Sequence, residues 1–247
     1  MKNLKDKVII VTGGCGLIGK EIVRELIKEK VRVINADISV ETNIELDTFK
    51  LDLSDNTSID LLIKTVMSEY GHIDGLVNSA YPHTKDWGKY FFEDEPFEHW
   101  QRNTELQLNS VFYICQQVLK IMKEQKNGSV VNFGSIYGVV GNNFMIYEEY
   151  NGTSPADYCA IKGGIINLTR YLASYFGKYN IRVNCISPGG IFDNQNQSFL
   201  ERYNHIVPMK RMGNPDDIAP AVLFLLSEDA KYITGQNIAI DGGWTAI

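Results

Sequence analysis

Short, unbroken apolar runs alternate along this chain with longer segments whose apolar residues recur at helical spacing. Residues 8–11, 31–36, 75–78, 129–133, 182–186 and 237–240 read as strands. The first five are rich in β-branched residues and do not alternate, as expected of strands covered on both faces. Helical periodicity runs through 17–30, 58–70, 97–123, 155–178 and 215–227. Repeated β-α-β units predict an α/β domain with a doubly wound parallel sheet flanked by helices. Residues 48–51 add an edge strand, for about seven in all under the right-handed crossover rule. In such sheets ligands lie at the C-terminal ends of the strands.

No internal repeat, low-complexity tract or linker interrupts the pattern, so residues 1–247 are expected to form one domain. Three stretches stand apart as candidate substrate loops, near 81–95, 142–154 and 190–210, the first two both polar and aromatic. The net charge of −6 opposes binding to phosphate backbones, which argues against nucleic acid as a partner. No apolar run is long enough to span a membrane. The four cysteines, Cys15, Cys115, Cys159 and Cys185, form no CxxC pair and read as free thiols. The start of the chain lacks a signal-peptide pattern, so a cytoplasmic location is expected.

Candidate chemistry begins where the first strand runs into Thr12-Gly13-Gly14-Cys15-Gly16-Leu17-Ile18-Gly19 and then a helix. A glycine-rich turn there directs free backbone amides at a pyrophosphate. Any tight strand-to-helix turn favours glycine, but the place of this one, on the first strand of a β-α-β unit, favours a nucleotide. Asp37 closes the second strand, where a carboxylate can accept hydrogen bonds from an adenosine ribose diol and repel a 2′-phosphate, which points to NAD. The alternative role for Asp37 is to cap the following turn. Asp52 and Asn78-Ser79-Ala80 end further strands on the same side, where turn chemistry and cofactor contact both fit.

Tyr158 and Lys162 stand four apart on a predicted helix and so share a face. Alone, that spacing is common. Together with the glycine loop, Asp37, Asp52, Asn78-Ser79-Ala80, Asn132-Phe133-Gly134-Ser135, Arg182-Val183-Asn184, Pro188-Gly189-Gly190-Ile191 and Asp241-Gly242-Gly243, in that order, it resembles the short-chain dehydrogenase/reductase family over almost the full length. The resemblance implies a single-domain Rossmann fold and an NAD-dependent oxidoreductase acting on CH–OH groups. It implies that Tyr158 is the general acid/base, that Lys162 binds the nicotinamide ribose and assists Tyr158, and that Ser135 orients the substrate oxygen. Cofactor contacts are expected from Gly13, Cys15, Gly16, Leu17, Ile18, Gly19, Asp37, Asp52, Leu53, Asn78, Ser79, Ala80, Pro188, Gly189 and Ile191, besides Tyr158 and Lys162.

Three departures bear on that transfer. Gln107 stands where the family's catalytic asparagine usually completes a tetrad; Asn109 is two positions away, a rotation of about 200° on a helix. Leu17 replaces a more usual glycine, a spacing reminiscent of extended sugar-nucleotide members. Asp193 replaces a common threonine.

Residues Asn142, Asn143, Tyr147, Glu148, Glu149, Tyr150 and Asn151 form a segment longer than is usual before the tyrosine; it suits a hydroxyl-rich ligand, or it is a solvated surface loop. The run from Ser135 through Tyr147, with 188–193, looks like relatives associated with bacterial surface-sugar and flagellin modification, implying a sugar or activated sugar. Two other functions stay open: a catalytically silent NAD-binding scaffold, and an epimerase that reduces NAD transiently. His72, His83, His99 and His205 make no close ligand motif, so no metal is expected, and Glu93-Asp94-Glu95 reads as a solvated helix entrance. Surplus apolar residues, including Val111, Phe112, Ile165, Ile166 and Leu172, suggest a homodimer or homotetramer.

Overall fold

The computed structural model describes residues 1–148 and 152–247. Seven strands, β1 (Val8–Thr12), β2 (Arg32–Asp37), β3 (Thr48–Lys50), β4 (Gly75–Asn78), β5 (Gly128–Phe133), β6 (Ile181–Pro188) and β7 (Asn237–Ile240), form one sheet. Every pairing is parallel, in the order β3-β2-β1-β4-β5-β6-β7. β1 is flanked by β2 on one side and β4 on the other, so the strand order reverses there and opens a crevice at the C-terminal ends. This is a single-domain, doubly wound Rossmann architecture, as the alternation of strands and helices predicts.

Among the described residues seven α-helices accompany the sheet: α1 (Leu17–Lys28), α2 (Asn56–Tyr70), α3 (Phe97–Thr104), α4 (Ser110–Gln125), α5 (Ala156–Phe176), α6 (Gln197–Ile206) and α7 (Pro215–Leu226). One core layer packs Ile63, Ile114, Val118 and Ile165 from α2, α4 and α5 against Ile10, Leu76 and Val130. The other packs Ile22, Val222 and Leu225 from α1 and α7 against Ile9, Val77 and Val131. Strands buried on both faces explain why the apolar runs do not alternate.

One expectation is refined and one corrected. The stretch 97–123 is helical throughout as expected, but a π turn at Glu105–Asn109 interrupts its α-helical register and divides it into α3 and α4. The extra residue in that turn is invisible to a hydrophobic period. Helix α6 lies inside what reads as a loop; the Asn196 side chain accepts a hydrogen bond from the Phe199 N–H at 2.8 Å, and Phe199 and Tyr203 face a small cluster with Tyr137, Ile146 and Trp244. Its many polar residues hide an amphipathic stripe that only this satellite cluster uses.

Candidate active site

The turn after β1 is shaped for close approach. Gly13 has φ +66°, and a Cβ there would lie 2.5 Å from Ala80 Cα; a Cβ on Gly19 would lie 2.0 Å from the Gly13 carbonyl oxygen. Both positions therefore require glycine. Gly16 precedes α1 with no side-chain cap, leaving first-turn N–H groups for an anion. Asp37, at the tip of β2, accepts hydrogen bonds from the Cys15 N–H at 3.0 Å, the Ser39 N–H at 2.9 Å and the Ser39 hydroxyl at 2.7 Å. Burial raises its pKa, but these bonds outweigh burial and hold the carboxyl below its ordinary value.

A cleft of roughly 1130 Å³ runs from this turn to α5. Of the expected cofactor residues, all but Cys15, Asn78 and Gly189 line it. Cys15 offers its N–H to Asp37 instead. The Asn78 side chain is spent inside the sheet, donating to Asn132 Oδ1 at 2.8 Å, so it supports the site from beneath. Gly189 is hemmed in by Asp241 and Tyr203, where a Cβ would meet the Asp241 Cα at 2.9 Å. A glycine cradle that admits no Cβ, a helix start and a strand-end carboxylate together fit a dinucleotide.

At the far end of the cleft, β5 delivers Ser135 and α5 delivers Tyr158 and Lys162. Lys162 Nζ donates to the Phe133 carbonyl at 3.1 Å and lies 5.8 Å from the centroid of the Tyr158 ring. Burial pushes the Tyr158 phenol up to about 12, opposed by a hydrogen bond from the Ser135 hydroxyl. Burial pushes Lys162 the other way, down to about 8. The Ser135 oxygen accepts the Tyr137 N–H at 3.2 Å.

Gln107 sits in the π turn, 3% exposed, with neither side-chain amide atom hydrogen-bonded among the described residues. Asn109 points to solvent. The two-position distinction drawn from helical geometry therefore holds.

Two aromatic residues escaped the sequence reading. Tyr81 lies 5.9 Å from the Tyr158 ring, edge-on, and Lys162 Nζ stands 5.4 Å above it. Trp87 meets Tyr158 at 5.9 Å, also edge-on. The loop was singled out, but nothing in its pattern says which of its aromatic residues reaches α5; the signal available was the aromatic directly after Asn78-Ser79-Ala80. The loop ahead of Tyr158 is more self-contained than expected. Asn142 donates to Ser154 at 2.6 Å, Asn143 accepts from the Met145 N–H at 3.1 Å, Glu148 pairs with Arg202 at 3.1 Å, and Tyr147 packs edge-on against Phe199. Glu149, Tyr150 and Asn151 lie outside the described residues.

Glu95 also departs from expectation. Its side chain is 6% exposed and bonded to His99, so it is no solvated helix entrance, although Glu93 and Asp94 are exposed.

Comparison with known proteins agrees with this geometry. A family model described as enoyl-(acyl carrier protein) reductase matches residues 14–245. The post-translational flagellin modification protein A of Campylobacter coli is 36% identical, over 98% of this chain and 99% of that protein. The 7alpha-hydroxysteroid dehydrogenase of Bacteroides fragilis is 35% identical, over 99% and 96%. A crystal structure of a short chain dehydrogenase from Leptospira borgpetersenii with bound NAD+ superposes with a TM-score of 0.89 at 37% identity, covering 99% of this chain and 96% of that one. The chain belongs to the short-chain dehydrogenase/reductase family. It is an oxidoreductase of CH–OH groups, and its relatives differ in what they act on.

Proposed function

We propose that the protein is an NAD-dependent dehydrogenase/reductase that interconverts a secondary alcohol and a ketone on a sugar or activated sugar. The observation that carries this reading is that Tyr158 and Lys162 line one end of a cleft whose other end is the glycine cradle, with the buried Ser135 hydrogen-bonded to Tyr158 just behind that lining. When bound, the nicotinamide supplies the hydride acceptor or donor. The chain handles the proton. Tyr158 takes it from the alcohol at the phenol oxygen, or returns it to the ketone oxygen. The Lys162 ammonium beside it stabilises the phenolate. Ser135 accepts from the Tyr137 N–H and its single proton is directed at the Tyr158 oxygen; with substrate bound beside Tyr158, that proton turns to the substrate oxygen. The orphaned Gln107 amide holds a water that carries the proton onward, in place of the usual asparagine.

Asp37 supports NAD over NADP, since the cleft presents a carboxylate where a 2′-phosphate would have to sit. Replacing it with serine (Asp37→Ser) removes a hydrogen bond to a charged group, about 1.5–3 kcal/mol, and should weaken NAD+ about 10- to 100-fold. NADP+ should gain at the same time. Competition binding of the two cofactors checks this, and an unchanged NAD+ preference would remove Asp37 from the selectivity argument.

A sugar is supported by Tyr81 and Trp87 beside the reacting tyrosine, since aromatic faces stack on the apolar face of a sugar ring. The second-half loop contributes less than its composition suggests, because its described polar groups bond within the loop or to α6.

Self-association is proposed through the outer faces of α4 and α5. Val111, Ile165, Ile166 and Leu172 are consumed in the core, but Phe112, Tyr171 and Tyr175 remain 48%, 63% and 51% exposed. Such a patch favours a symmetric contact. Light scattering should give a dimer or tetramer mass; a monomer mass at working concentration rejects it.

A further inference from the structure

Beside the reacting helix, and outside the cleft lining, lies a cluster that the proton chemistry leaves unused. Glu95, at the end of the 81–95 loop, His99, one helical turn further along the chain, and Asp157, in the first turn of α5, point toward one another. Glu95 Oε1 is 2.9 Å and Asp157 Oδ2 3.9 Å from His99 Nδ1, and the three donor atoms all lie within 4.8 Å of one another. Their side chains are 6%, 7% and 0% exposed. We propose that these three residues form a site for a divalent metal ion, zinc by ligand chemistry, that ties the 81–95 loop to α5 beside Tyr158.

The donor set is one imidazole nitrogen and two carboxylate oxygens, which suits zinc with water as the fourth ligand. Tetrahedral bonds of about 2.0–2.1 Å place ligand atoms roughly 3.3 Å apart, so the two spacings bracket the required value and a small closure of Asp157 completes it. The imidazole is already oriented. Its Nε2 lies 2.8 Å from Thr84 Oγ1, and the Thr84 N–H donates to Asn103 Oδ1 at 3.0 Å, which turns Nδ1 toward the carboxylates. Outer partners of this kind fix metal-binding histidines.

Charge decides between a metal and a proton. Among the described residues no lysine or arginine nitrogen comes within 4.0 Å of Glu95 or Asp157, and buried carboxylates are costly without a cation. A proton on His99 Nδ1 serves Glu95 at 2.9 Å but stands 3.9 Å from Asp157, whose oxygens, among the described residues, have only weak contacts with the Asn103 amide and the Tyr158 N–H and no well-formed hydrogen bond. A metal ion engages all three groups. Histidine spacing alone does not reveal this cluster, because Asp157 stands 58 positions beyond His99.

The test measures metal and stability, so it is independent of the substrate and of turnover. Full-length protein, purified without chelator and freed of any affinity tag, is equilibrated with zinc, passed through a desalting column and assayed by elemental mass spectrometry. About one zinc per chain is expected, with a melting temperature that falls on EDTA treatment and recovers when zinc is restored. Asp157→Asn and His99→Gln should lower occupancy at least tenfold. Thr84→Val, which keeps every ligand, should weaken zinc binding about 10- to 100-fold. Sub-stoichiometric zinc with no response of the melting temperature overturns the proposal, as does equal occupancy in His99→Gln. A rise in stability of Asp157→Asn without metal loss assigns the cluster to a proton and also overturns it.

Discussion

Tyr158→Phe is expected to lower turnover by about 10²–10⁴-fold in both directions, the usual worth of a positioned general acid/base, while NAD+ affinity stays within a few-fold of wild type. The ring would still pack edge-on against Tyr81 and Trp87, so only the proton-carrying oxygen is lost. In the free protein burial pushes that phenol up to about 12, so neutral pH does not ionise it by itself. In the proposed mechanism it depends on the charge of Lys162 and the hydroxyl of Ser135. Paired measurement of turnover and cofactor affinity separates this from a packing defect, which would move both.

Lys162→Met should behave differently, lowering turnover by about 10²-fold or more together with cofactor affinity, because one ammonium serves both roles. It should also stabilise the cofactor-free protein at neutral pH. Burial holds Lys162 near 8 against an ordinary 10.5. Between those values the unfolded chain retains a proton that the folded chain has released, so raising the pH favours the folded state. The cost of burying the ammonium is thus fully present below about pH 8 and disappears by the upper value. Wild-type melting temperature should climb relative to Lys162→Met across that window. Parallel curves for the two proteins would show that Lys162 is not buried as a strained cation. A variant that is more stable yet inactive is the expected signature of a site held at the expense of stability.

The inner strands were legible because burial on both faces writes itself as unbroken apolar runs, and 75–78 matches β4 to the residue; the half-exposed edge strand β7 also coincides with 237–240. Gly13 and Gly19 were legible for a similar reason, since no other residue fits a turn this tight. Tyr158 and Lys162 became informative only within an ordered set of motifs, because a four-residue spacing occurs on any helix. What stayed hidden depends on contacts between distant segments. Nothing near Tyr81 or Trp87 announces that they pack on α5, and the partners of Glu95 are set by where α3 meets α5. Of the surplus apolar residues on α4 and α5, Phe112 faces outward as expected, together with Tyr171 and Tyr175, whereas Val111, Ile165, Ile166 and Leu172 are buried in the core. Periodicity counts apolar positions; it does not say which neighbour covers them.

The central claim is that Ser135, Tyr158 and Lys162 exchange a proton at the end of an NAD cleft. Its most direct test follows nicotinamide absorbance with wild type and Tyr158→Phe against sugars, activated sugars and hydroxysteroids, with both cofactors. The account predicts net NAD-linked exchange with a sugar-like member, lost in Tyr158→Phe while NAD+ still binds. NAD+ binding without exchange on any compound, turnover of a sugar with no net change in the nicotinamide, or exchange that survives in Tyr158→Phe would contradict it.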